Sequence, residues 1–101
     1  MADGGQPHVV RVPPDLKEFV PDFLARRRED VQKLQQALTR GDYDAIRVAG
    51  HNMKGSGAGY GFDAITEFGG VLEQAAKNGD ASAIRRCADE LAAYLNGVEV
   101  V

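Results

Sequence analysis

Apolar residues recur along this chain at spacings of three, four and seven, the spacing that lines one face of an α-helix, and no stretch alternates convincingly with the two-residue period of a strand. From Asp22 onward, Leu24, Val31, Leu34 and Leu38 define a helix of about five turns that Gly41 stops. Asp42 can cap the next helix, in which Ile46, Ala49, Met53 and Tyr60 continue the stripe. A third helix is predicted from Asp63 to Asn78 on Ile65, Phe68, Leu72, Ala75 and Ala76, and Gly79 stops it. Asp80 can cap the last, with Ile84, Cys87, Ala88, Leu91, Leu95 and Val98 on its apolar face. Upstream, Pro13-Pro14-Asp15 reads as the start of a short extra helix through Val20, which Pro21 ends or kinks because it has no N–H to donate.

The two stop-and-start signals match: Gly41-Asp42 followed by Ile46, and Gly79-Asp80 followed by Ile84. Each is a glycine stop, an aspartate cap and a first core residue four positions later. Connections this short force neighbouring helices to run in opposite directions. The expected fold is all-α, an antiparallel up-and-down four-helix bundle over residues 13–101 with the short extra N-terminal helix. Residues 1–12, with Gly4, Gly5 and Pro7 and no sustained period, read as a flexible tail, and His8 within it as a bystander.

Composition narrows the function classes. At 101 residues the chain supports one core. A net charge of −3 argues against a general nucleic-acid binder, and Arg26-Arg27-Arg28 is the only basic run. Beside Glu29 and Asp30 that run reads as a solvated helix face, the alternative being a local patch for an acidic partner. No run approaches the roughly 18 apolar residues of a membrane span. The N-terminus lacks a basic segment followed by an apolar one, so a cytoplasmic location is expected. The one cysteine, Cys87, cannot form an internal disulfide and falls on an apolar stripe, where a thiol is inert.

One stretch is not explained by building a bundle. Gly50 to Gly61 holds one of two histidines and five of twelve glycines. On a helical wheel Ile46, Ala49, Gly50, Met53, Ser56, Gly57 and Tyr60 fall within roughly 120 degrees, the core face, while His51 points almost directly away from it. Its surface neighbours there are Asp44, Arg47, Lys54, Gly55 and Ala58. Each glycine inside a helix costs about 0.8 to 1 kcal/mol relative to alanine. Gly50 and Gly57 can offset that by letting a neighbouring helix approach, but Gly55 and Gly59 project outward, where only another molecule's surface could benefit. An exposed imidazole between bare positions reads as a docking site; the other readings are a solvated surface histidine and a flexible loop from Gly55 to Gly61.

Other glycine-rich chemistry fails on spacing. A phosphate-binding loop needs its lysine after the last glycine, but Lys54 precedes Gly55 and no strand precedes either. The dinucleotide fingerprint would need glycine where Tyr60 or Phe62 stands, and the nucleophile elbow fails because Lys54, not glycine, lies two residues before Ser56. One usable histidine and one buried cysteine serve a zinc site poorly.

His51-x-x-Lys54-Gly55 with Ser56 next, Gly61 ten residues after the histidine, Leu72-Glu73 in the following helix and the paired Gly-Asp turns together resemble the histidine-containing phosphotransfer domains of multistep two-component relays. The resemblance covers about 85 residues and departs from the family mainly in the extra Gly50, Gly57 and Gly59. It implies a monomeric carrier more than an enzyme, with His51 taking a phosphoryl group at Nε2 from a receiver-domain phosphoaspartate and passing it to another receiver. By the same resemblance Lys54 offsets phosphoryl charge and Gly55 clears the path for the partner's loop; Arg47, Ala58 and Gly59, on the same outward face, are expected to meet the partner with it. The partners implied are response-regulator receiver domains and a hybrid sensor histidine kinase, with no cofactor or metal of the chain's own and Mg2+ supplied by the receiver. An ordinary imidazole, with a pKa of about 6.5, suits the role because its neutral form presents a lone pair to phosphorus. Two alternatives stand beside it: a helical adaptor that docks receivers without carrying phosphate, and a kinase dimerisation domain phosphorylated in trans. For Lys54 the other reading is a routine solvated lysine.

Overall fold

The computed structural model describes residues 8–101. Four helices make up most of them: α1 (Val20–Arg40), α2 (Tyr43–Gly57), α3 (Asp63–Lys77) and α4 (Ala81–Gly97). Their apolar stripes meet in one core, with Leu34, Ile46, Met53, Ile65, Leu72, Ile84 and Leu91 all but fully buried. Each large aliphatic side chain so buried is stabilising by roughly 1.5–3 kcal/mol, which sets the relative placement of the helices. Contacts run α1 to α2, α2 to α3, α3 to α4 and α4 back to α1, the α2–α3 interface being the most extensive.

The turn chemistry follows the expected signals. Gly41 and Gly79 adopt the left-handed conformation at φ 72° and 64°. The carboxylates of Asp42 and Asp80 accept from Ala45 N and Ala83 N, each at 3.1 Å, and so satisfy one orphan donor at the start of α2 and of α4. Cys87 is buried, its thiol directed at Phe68 O at 3.6 Å, and burial, with Glu90 adding to it, pushes the thiol pKa up to about 11.

The ends of the chain depart from expectation. A short parallel sheet pairs β1 (His8–Val10) with β2 (Val98–Val100), in the register His8 to Val98 and Val10 to Val100. Two strands of three residues are too short to display a period, and their partners come from opposite ends of the sequence. The stretch expected to be a flexible tail through Val12 is therefore ordered from His8 onward, with Val10 and Val12 buried; residues 1–7 and the His8 side chain lie outside what is described. Val98, which continues the apolar stripe of α4, instead turns extended at φ −76° and ψ 135° to begin β2.

The expected extra helix is a 3-10 segment, Pro14–Phe19, that leads straight into α1 at Val20. Pro21 does not break it, because the first turn of a helix leaves backbone N–H groups unbonded and loses nothing to proline. The arginine run is also not a plain solvated face. Arg27 Nη1 donates to Ser56 Oγ at 2.9 Å and its guanidinium lies 5.0 Å over the Phe23 ring, while Arg28 Nη2 donates to Leu95 O at 3.2 Å. Arg27 Nε also forms an ion pair with Asp30 Oδ2 at 2.8 Å within α1. Two of the three arginines thus tie α1 to α2 and α4.

Candidate functional site

The site forms where α2 and α3 approach most closely, and glycine makes that approach possible. A Cβ on Gly50 would fall 2.7 Å from Glu73 N and 2.8 Å from Gly69 O; one on Gly57 would fall 2.6 Å from Phe62 O and 2.7 Å from Thr66 N. Gly69 answers from α3, where a Cβ would collide with the backbone of Lys54. As α2 advances from Gly50 to Gly57, the α3 positions it meets fall from Glu73 to Thr66. Gly61, at φ 86°, ends the histidine-bearing segment, and Arg11 O passes where its Cβ would be, 2.9 Å away.

The segment is helical to its end, and the loop reading does not hold. α2 continues through Gly57 and tightens into a 3-10 turn, Ala58–Tyr60, before Gly61. Phe23 of α1 stacks on Tyr60 at 4.6 Å and on Phe62 at 5.2 Å between centroids, which holds the glycine-rich end against the bundle.

On the outward side of α2 the His51 side chain is 65% exposed. Gly55 and Gly59 have nothing within 4 Å of a would-be Cβ, and Ala58 is exposed with them. Arg47, one turn before His51, is ion-paired with Asp44 at 2.8 Å. Val48 is exposed on the same side, an apolar neighbour of the histidine that the motif did not single out.

Sequence reasoning placed His51 and Lys54 together but did not assign a role to the residue that joins them. Glu73 of α3 reaches both: His51 Nδ1 lies 3.2 Å from its Oε2, and Lys54 Nζ lies 2.9 Å from its Oε1. A carboxylate can only accept, so Nδ1 carries the proton in this hydrogen bond and the neutral ring has its lone pair at Nε2. The Glu73 side chain is only 12% exposed, and the Lys54 ammonium, followed by the His51 ring, holds its carboxyl below the ordinary glutamate range. Lys54 is accordingly not a free solvated lysine. The signal for Glu73 was its place in Leu72-Glu73; what could not be read was the glycine-to-glycine approach that brings α3 within reach.

The Hpt domain family model matches residues 18–100, nearly the whole chain. The chain belongs to the Hpt domain family. Membership gives it a histidine phosphotransfer role in phosphorelay signalling, as a carrier of the kind that interacts with receiver domains and is not a conventional enzyme. No curated protein and no solved structure matches the chain significantly. Among the described residues, no helix of this Hpt domain is long and apolar enough to cross a membrane.

Proposed function

We propose that His51 is the phosphoacceptor of this Hpt domain, and that it shuttles a phosphoryl group between receiver domains from the open face of an up-and-down antiparallel bundle. In the forward step His51 Nε2 attacks the phosphorus of a receiver phosphoaspartate; the N–P bond forms as the P–O bond to the aspartate breaks, and the carboxylate leaves. The Nδ1 proton stays on the ring throughout, hydrogen-bonded to Glu73, whose negative charge offsets the positive charge that the ring acquires. Onward transfer reverses the step toward a second receiver.

The observation that carries this reading is the bond from His51 Nδ1 to a carboxylate that also holds Lys54, on a side of the helix left bare. It directs the lone pair to the atom farther from the backbone and keeps an ammonium beside it. Lys54 offsets phosphoryl charge; Gly55, Ala58 and Gly59 let the receiver's loops approach, and Arg47 lies at the rim of the contact. Phosphoryl transfer depends chiefly on positioning and charge stabilisation, and here the receiver brings the Mg2+. The chain works as a cytoplasmic monomer, loaded from the receiver domain of a hybrid sensor histidine kinase.

Incubated with a phosphorylated receiver, the chain is expected to gain an acid-labile, base-stable phosphate, and a folded His51→Gln variant to gain none. Label on His51→Gln, or on His8 of the native chain, would refute the assignment.

A further inference from the structure

Lys77 is the charged neighbour of this site that the motif leaves unused. It ends α3 one turn after Glu73, and its Nζ lies 4.0 Å from Glu73 Oε2. Glu73 therefore has three neighbours on two oxygens: Lys54 on Oε1, and His51 and Lys77 on Oε2. The two lysine side chains are 47% and 52% exposed against 12% for the glutamate, so water can solvate the ammoniums far better than the carboxylate. A carboxylate so little solvated is costly to leave without a cation.

Lys54 faces a conflict. At rest its ammonium is committed to Glu73, yet a phosphoryl group on Nε2 lies on the opposite side of the imidazole from the atom that Glu73 holds. Turning toward it strips Oε1 of its ammonium, while the charge that the ring acquires serves Oε2 alone and the phosphoryl group brings roughly two negative charges to the site. Lys77 approaches the other oxygen from the i+4 position of the same helix, where a lysine is well placed to pair with the preceding glutamate.

We propose that Lys77 is a positioning residue which takes over the Glu73 carboxylate when Lys54 turns to the phosphoryl group on His51. The inference rests on the carrier reading above. The hand-over makes and breaks no covalent bond; it exchanges one ion pair for another while the Nδ1 hydrogen bond stays in place. Lys77 acts through Glu73 and Lys54 and does not touch the phosphoryl group.

The rate of labelling of the whole chain by phosphoramidate tests this without a partner. In that reaction the P–N bond to ammonia breaks as the His51 Nε2–P bond forms, and ammonia leaves. Lys77→Gln is expected to slow labelling about two- to fivefold, as fits a half-exposed pair. The decisive quantity is the coupling with Lys54. Lys54→Gln should slow the native chain about tenfold but the Lys77→Gln chain by less than about threefold, because without Lys77 the Lys54 ammonium stays on Glu73 and contributes little. Lys77→Arg should keep the native rate. Equal slowing by Lys54→Gln in both backgrounds, or a Lys77→Arg chain as slow as Lys77→Gln, would overturn the hand-over. Label on His51→Gln would instead remove the carrier reading, and the hand-over with it.

Discussion

Two pairs of glycines along α2 and the 3-10 turn that ends it do opposite things. Gly50 and Gly57 face α3 across distances that no Cβ could occupy, while Gly55 and Gly59 face open space. The first pair loses helix propensity and recovers it in close packing; the second recovers nothing inside the molecule. The difference separates two requirements of the site. The inner pair brings α3 near enough for Glu73 to reach His51 and Lys54, and in the proposed function the outer pair keeps the approach to His51 clear.

The comparison predicts a change of sign between the faces. Gly50→Ala should destabilise the domain by about 1–3 kcal/mol even after the gain in helix propensity, because backbone atoms on α3 have to move. That is a substantial share of the roughly 5–15 kcal/mol available to a small domain. Chemical denaturation measures it, and the same variant should label slowly, since the shift takes Glu73 away from His51. A Gly50→Ala chain as stable as the native one would mean that α2 and α3 do not need this approach.

A second variant isolates the outer face. Gly55→Leu adds a side chain where nothing lies within 4 Å, so the fold should persist. Transfer from a phosphorylated receiver should nevertheless slow by about tenfold or more, a loss of roughly 1.4 kcal/mol in the docked state. Labelling by phosphoramidate, too small to meet the leucine, should be unchanged. Slowing with both donors would place the effect on the imidazole, and slowing with neither would remove the docking role.

Most of the bundle was legible because its signals are local. The glycine stops, the aspartate caps and the apolar stripes each depend on residues within a turn or two of one another, and α1 to α4 follow them closely. The wheel also sorted the glycines of α2 correctly. What was missed depends on distant pairs: β1 meets β2 across nearly the whole sequence, Arg27 reaches Ser56, and Gly69 lets the Lys54 backbone in. Glu73 belongs with these. The sequence marks it as part of the Leu72-Glu73 pair without giving it a task, and only the depth of the α2–α3 contact turns it into the group that orients a histidine.

The smallest effect is the most direct test of the outer pair. Gly55→Ala adds one methyl group at a helical position with open space around it, so no clash opposes the gain in helix propensity. Stability should rise by roughly 0.5–1 kcal/mol, partly through the reduced freedom of the unfolded chain. Transfer from a receiver should slow only slightly, because alanine already stands at Ala58 on the same bare surface. A gain in stability with little loss of transfer would mean that the position tolerates a methyl group and excludes a larger side chain, and comparison with Gly55→Leu would give the clearance the partner needs. No gain in stability would mean that Gly55 is held by something other than open space, and the contrast between the two faces of α2 would have to be redrawn.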